Sequence, residues 1–369
     1  MDFKIINTSD SFVELEEDWR VLEQHSPEIT YFSTFEYCYS WWKIFKELNH
    51  FKIFVIAIYH NNRIAGIAPM LLKANKSRFQ SYTTLEFMAR GDYADFLIDC
   101  TLDIKPLNII KQIFKIIEEY SQEWDEINLT HISQHTLLAQ YLLKSNYNKY
   151  FTYLIENPYI DFAKFEKFDD YCKNFLPAKT IQYVNRLKRA TDFRLEISDK
   201  NIINEISEIH IAEKNFLLRK GKKNRQSLFE DRRRKQFLSL LYENSNHILS
   251  YMLIDQKNGD KIIAYNTGFV FKNVFYSTNT AYDPEYERYG VGKIIYYFVF
   301  KQNFETKLWN VFDTLAGRYA WKFEWTNKFN LLYKFQYLKA NNRKLLLQRK
   351  LGNITMTLVE LKNFIMDKK

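Results

Sequence analysis

Glycine and proline are scarce in this chain, nine and six in 369 residues. That scarcity excludes low-complexity linkers and extended disorder. The three cysteines, Cys38, Cys100 and Cys172, are dispersed and form no CxxC pair. They build neither a disulfide framework nor a zinc ribbon. No apolar run approaches the roughly 18 to 20 residues that cross a bilayer, and "MDFKIINTSD" lacks the basic-then-apolar pattern of a signal peptide. No G-x-S-x-G serine motif occurs. His131 and His135 are four apart, but the HExxH glutamate and a third ligand are missing, so no metal is expected. The chain reads as a soluble cytoplasmic protein, and the sequence leaves its oligomeric state open. With 46% hydrophobic and 17% aromatic residues it has ample material for a core, in two domains or one large one.

Positive charge is concentrated. The net charge is +9, and the segment Lys214 to Lys235, "KNFLLRKGKKNRQSLFEDRRRK", holds ten Lys or Arg against Glu230 and Asp231. Two readings stand: a solvated helix–loop–helix face, or a groove for an anionic partner such as a nucleotide cofactor, a phosphorylated sugar or RNA.

The same element order occurs twice. In the first half "FKIFVIAIYH" and "RIAGIAPMLL" form a hairpin across His60–Asn62. "TLEFMARGDYADFLID" is a third strand with an irregular middle. Ile109, Ile110, Ile113, Ile116 and Ile117 make one helical stripe. "EINLTHI" is a strand, "HTLLAQYLLKS" a helix and "YFTYLIEN" a strand. In the second half, strands "ILSYMLID", "KIIAYNTGFV" and "NVFYSTNTA" precede a helix opening at Gly290. The strand "LWNVFDTL", a short helix through "RYAWKFEW" and the strand "LLYKFQYL" follow. Both halves read β-β-β-α-β-α-β, with helices in front. Pro158 punctuates the chain between them, which divides it into 1–158 and 159–369.

In "AYDPEYERYGVGKIIYYFVF" two of the nine glycines, Gly290 and Gly292, open an apolar helix. One reading is a turn packed on a sheet. The other is a phosphate cradle, since a helix N-terminus offers unpaired N–H groups and the positive end of its dipole. The equivalent stretch of the first half, "DCTLDIKPLNII", has no glycine and carries Asp99 and Asp103. On this reading only the second copy holds a cradle.

"ERYGVG" resembles the coenzyme A motif Q/R-x-x-G-x-G/A of the GNAT acyltransferase superfamily, with Glu287 where Gln or Arg is usual and Arg288 one step on. "EEDWRVLEQHSPEITYFSTFEYCYSWWKIF", "IAGIAPMLL", "GDYADFLI", "LLRKGKKNRQSLFED" and "FDTLAGRYAWKFEW" resemble, in that order, segments of CelD-type GNAT proteins. That group is linked to cellulose and other polysaccharide biosynthesis. The resemblance implies an α/β (α+β) fold of two tandem GNAT-like domains. Each would be a mixed, mostly antiparallel twisted sheet flanked by helices. It implies acetyl-CoA or another acyl-CoA as donor and a small-molecule or glycan-precursor acceptor. Fem-type aminoacyl-tRNA-dependent transferases share the double layout and make RNA, through Lys214–Lys235, the alternative partner. A non-catalytic double-GNAT protein is the third reading.

Acyl transfer needs a base for the nucleophile, N–H donors for the oxyanion and a proton for the leaving thiolate. "TNTAY", Thr278 to Tyr282, is the stretch whose backbone would supply donors, with Thr280, Ala281 and Tyr282 against the cofactor. Arg288, Tyr289, Gly290, Val291, Gly292 and Lys293 complete the expected cofactor set. Asp313, an acid inside an apolar strand, is the first candidate base, and the alternative is a strand-end Asp bonding to a loop. Tyr319 is the candidate proton donor, and Lys322 would pair with Asp313 or an anionic substrate. From the first half, Arg90 and Asp95 are candidate substrate ligands and Asp92 a second candidate base.

Overall fold

The structure is a computed structural model and describes residues 1–339 except 49, 77–79, 90 and 223–224. Among the described residues, fifteen strands form a four-stranded and an eleven-stranded sheet, with helices on their faces.

The local signals act as the sequence indicates. Asn61 and Asn62 both take positive φ, 50° and 61°, the geometry that a two-residue hairpin turn needs. They join Val55–His60 to Arg63–Ala68 in antiparallel register. The isoleucine stripe becomes helix Pro106–Glu119, with all five isoleucines buried. Thr136 caps helix Leu137–Lys144 by accepting from the Ala139 amide.

Two long runs break where the sequence reads continuous strands. "FKIFVIAIYH" divides at Phe54 into Phe51–Ile53 and Val55–His60. "RIAGIAPMLL" divides at Pro69 into Arg63–Ala68 and Met70–Lys76. In each case one piece joins the small sheet and the other the large one. Proline lacks the N–H that a continuous ladder would use. The small sheet is completed by Leu97–Ile98 and by Asp2–Ile6, a strand the pattern reading did not include.

The large sheet joins the two halves by exchange. The first half's last strand, Phe151–Asp161, runs unbroken through Pro158. It pairs with Val311–Asp313 of the second half on one side and with the chain's last described strand, Phe329–Leu338, on the other. That last strand pairs in turn with Glu126–Ser133 of the first half. Each half thus lends its terminal strand to the other. The expected division at 158/159 falls inside this shared strand, and Pro158 does not end it.

Aromatic residues fill the seam between the halves. Tyr31 stacks on Phe269 with ring centroids 4.1 Å apart, and Phe32 meets Tyr276 edge-on at 5.6 Å. Side chains of this size contribute about 1.5–3 kcal/mol each on full burial. The seam is part of one buried cluster that draws residues from both halves.

Candidate active site

A fork in the large sheet creates the site. Val274–Tyr282 and Val311–Asp313 run parallel, and their pairing ends at Tyr276 and Asp313. Beyond that point the second strand turns away along Phe151–Asp161: the Thr314 amide bonds to the Pro158 carbonyl at 3.1 Å, and Gly317 N–H to that of Glu156 at 3.1 Å. Ser277 to Tyr282 keep their partner strand Lys261–Phe271 on one side only. The freed edge of the strand lines a cleft of about 590 Å³.

A bulge shapes this edge. The register shifts so that Gly268 faces Ser277 and Thr267 faces Asn279, leaving Thr278 as the extra residue. Gly268 permits it, because a Cβ there would lie 1.8 Å from the Tyr276 carbonyl oxygen. Leu315, on the other arm, takes φ +63°, an unusual conformation for a leucine.

The helix Val291–Thr306 points its N-terminus at one end of the cleft. Gly290 is its N-cap at φ +66°, and its carbonyl accepts from the Lys293 and Ile294 amides. The first-turn amides of Val291 and Gly292 have no partner inside the helix by geometry. Gly290, Gly292 and Lys293 line the cleft, as do Thr280, Ala281 and Tyr282. The other three expected cofactor residues do not. Val291 is fully buried in the core. Arg288 is exposed and lies over Tyr289, 4.7 Å from its ring centroid. The glycines also serve packing: a Cβ at Gly290 would meet the Tyr183 ring at 2.7 Å, and one at Gly292 the Tyr282 ring at 2.7 Å. Glu287 lines the cleft and forms an ion pair with Lys220.

At the other end stand Asp92, Lys322 and Tyr319. Lys322 is 4% exposed. Its Nζ donates to the carbonyls of Leu315 at 2.7 Å and Ala316 at 3.2 Å. Burial lowers its pKa to about 8 against the pull of Asp92 and Asp313. Burial raises Asp92 to about 6, with Lys322 opposing. Tyr319 is half exposed and flanked by two cations, Arg225 at 5.6 Å and Lys322 at 5.4 Å from its ring.

Asp313 sits elsewhere. Its carboxylate accepts from Tyr93 Oη at 2.6 Å, from Asn157 Nδ2 at 3.0 Å and from the Leu315 amide at 2.8 Å. It lines a second cavity together with Asp95, on the far side of the wall from the cleft. A carboxylate so engaged closes the fork and joins the halves. Neither Asp313 nor Asp95 shares the cleft with the glycine turn, contrary to the placement expected for a base and a substrate ligand. Arg90 lies outside the described residues.

The pattern reading missed two polar residues of the cleft. His210 and Glu213, one turn apart on helix Ile203–Arg219, are 4% and 6% exposed and face the cleft. His210 Nδ1 is 2.7 Å from Ser227 Oγ, and burial lowers its pKa to about 3. Glu213 accepts from Lys214 Nζ at 2.5 Å, and burial raises its pKa. The available signal was their spacing: both fall on the buried face of Ile203 and Ile206, where an apolar side chain is the rule.

Among the described residues the first half's own fork is filled by chain. Parallel pairing of Ser81–Phe87 with Glu126–Ser133 also stops early, at Leu85 and Ile127. There the chain's own segment follows the freed strand, with the Ala94 amide bonded to the His131 carbonyl at 3.1 Å. Among the described residues no group of His, Cys, Asp or Glu is placed to hold a metal ion, and no helix is long and apolar enough to cross a membrane.

Residues 179–323 match the acetyltransferase (GNAT) domain family. That segment contains the free strand edge, the glycine turn and Lys322. Comparison with curated proteins gives no match. Solved structures share the fold over nearly the whole chain. FemX superposes with a TM-score of 0.61 at 12% identity, covering 94% of this chain and 99% of FemX. A Bacteroides thetaiotaomicron protein of unknown function gives 0.55 at 11%, covering 91% and 100%. The C-terminal domain of a putative lysylphosphatidylglycerol synthetase from Agrobacterium fabrum gives 0.52 at 13%, covering 92% and 96%. The architecture is mixed α/β, with mostly antiparallel sheets flanked by helices and a GNAT domain match in its second half.

Proposed function

We propose that this protein is a coenzyme A-dependent acyltransferase. It would pass an acetyl or longer acyl group to an amine, or a hydroxyl, of an amino sugar or similar cell-envelope or polysaccharide precursor. The observation that carries this reading is one cleft holding a free strand edge, a helix N-terminus, the half-buried Asp92 and the buried Lys322. The acceptor class rests on the CelD-type resemblance.

The residues fit the donor. The first-turn amides at Val291 and Gly292, with Lys293 beside them, suit a pyrophosphate. The edge from Ser277 to Tyr282 offers backbone groups to an extended amide-bearing chain. Bound acyl-CoA would supply an activated acyl carbonyl. Asp92, deprotonated near neutral pH, takes the proton from the acceptor. Lys322, fixed by the Leu315 and Ala316 carbonyls, sets positive charge beside the reacting groups. Tyr319 faces the same space and serves as proton donor to the leaving sulfur.

A second reading, a Fem-type transferase using aminoacyl-tRNA, draws on the basic segment, which places Lys214 and Arg225 in the cleft and Arg232 to Arg234 on the surface. Calorimetric titration with coenzyme A and acetyl-CoA separates the two. Saturable binding to the wild type, weakened at least about tenfold in a folded Lys293→Glu, Arg225→Glu variant, supports the leading reading. Absence of binding with tight, salt-sensitive aminoacyl-tRNA binding supports the second. Absence of both leaves a non-catalytic protein.

A further inference from the structure

The second cavity, on the far side of the Asp313 wall, encloses about 370 Å³ between the two halves. Its charge is one-sided. Glu28, Asp95 and Asp313 line it, His135 is the one basic side chain on its wall among the described residues, and no described Lys or Arg reaches it. Three tyrosines, Tyr93, Tyr159 and Tyr276, supply the aromatic part of the wall.

Two buried polar atoms near this wall lack partners. Asn157, behind Asp313 and not on the cavity wall itself, is wholly buried with Nδ2 on Asp313, and its Oδ1 has no hydrogen-bond partner. Thr30, which lines the cavity, has a buried Oγ1 in the same condition. Orphaned polar atoms of this kind are rare in folded proteins and call for an explanation. Asp95 is 8% exposed and accepts from its own neighbour's amide, Phe96 N–H, at 2.8 Å and from the Thr136 hydroxyl; burial raises its pKa to about 8. No described cation pairs with it. A wall with three carboxylates and tyrosine ring faces, and with no described Lys or Arg, lacks one chemical type: a compact group with several N–H donors and a positive charge. Tyrosine faces attract such a group as well.

We propose that this cavity is a binding site for a small organic ammonium compound, separate from the acyl-transfer cleft. Glu28 and Asp95 accept its N–H groups, Asp95 as a carboxylate once the cation lies beside it, and the tyrosine rings enclose the alkyl part. The wall that separates the sites also links them: Asp313 faces the cavity, while the Leu315 amide it accepts belongs to a residue of the cleft. An occupant here touches the support of the fork without entering it.

The test needs no acyl donor, so its outcome is independent of the proposed reaction. The full chain is titrated by calorimetry with n-butylamine, putrescine and spermidine, and with n-butanol as the uncharged counterpart of butylamine. The expected result is saturable binding of at least one amine, no binding of butanol, and affinity at least about tenfold weaker in Asp95→Asn. Glu28 is exposed and accepts from the Leu137 amide at 2.9 Å, a bond that Gln can also accept, so Glu28→Gln supplies a second variant and is expected to weaken binding likewise. Failure of every amine to saturate, equal response to butanol, or binding indifferent to both substitutions overturns the proposal.

Discussion

Tyr93 donates its hydroxyl to Asp313 Oδ2 at 2.6 Å, so a side chain of the first half holds the carboxylate at the base of the second half's fork. Both groups are buried. Removing the donor leaves a buried acceptor short of one bond, which costs about 1–3 kcal/mol. Tyr93→Phe is expected to lower stability by that amount in urea denaturation. Because Asp313 lies outside the cleft, the folded variant is expected to keep its affinity for coenzyme A. Loss of that affinity at full folding would place Asp313 in the chemistry after all.

The glycines are not equivalent. At Gly268 a Cβ would meet backbone, the Tyr276 carbonyl oxygen at 1.8 Å, and backbone cannot rotate aside. Gly268→Ala is expected to abolish the bulge and cost more than about 3 kcal/mol, read as loss of cooperative unfolding or of soluble protein. Gly221, unlike Gly268, has a positive φ, 81°, but nothing lies within 4 Å of a Cβ built there. Gly221→Ala is expected to cost about 1–2 kcal/mol, the left-handed penalty alone. Equal effects at the two positions would remove the bulge from the account of the fork.

Local signals carried the element order. The asparagine turn, the isoleucine stripe and the glycine-bearing helix start all act within a few residues, and the structure follows them. The strand exchange was not legible, because nothing in "FTYLIENPYID" states which half it will pair with. The break at Pro69 was visible as a proline but not as a change of sheet. For the site, the sequence pointed to the glycine turn and Lys322, which line the cleft, and to Asp313, which lines the other cavity. An acid in an apolar strand looks reactive until its partners are known, and Tyr93 and Asn157 lie 220 and 156 residues away in sequence. His210 and Glu213 were hidden in a helix whose apolar periodicity drew the attention.

Glu287 puts a carboxylate at the mouth of a cleft proposed to take a phosphorylated donor, and its ion pair with Lys220 occupies a cation that would otherwise serve the ligand. Both partners are more than one third exposed, so the pair itself contributes about 0–1 kcal/mol to stability. Glu287→Gln is therefore expected to leave the melting temperature nearly unchanged while tightening coenzyme A binding about two- to tenfold at low salt. The gain should shrink as ionic strength rises and the Debye length falls below about 8 Å. Weaker binding in Glu287→Gln would mean that the carboxylate contacts the donor directly.

The acid–lysine pair fixes a pH window. Asp92 has its pKa raised to about 6 and Lys322 lowered to about 8, burial being the first cause of each. Between those values Asp92 is an available base and Lys322 is charged. The rate, as kcat/KM, is expected to climb through about pH 6 and fall through about pH 8. Stability runs the other way. A raised carboxyl pKa means the folded state holds that proton more firmly than the unfolded chain, so Asp92's contribution is greatest at low pH and is lost as pH rises toward 6. A lowered lysine pKa contributes most in alkaline solution, and is lost as pH falls through 8. The window of activity is therefore the window in which both groups weigh against folding. Asp92→Asn is expected to lower kcat/KM by about 100-fold or more and to remove the acid limb. Lys322→Met is expected to remove the alkaline limb. Limbs that persist unchanged in these variants would assign the titration to other groups of the cleft, with Glu213 the next carboxylate in line.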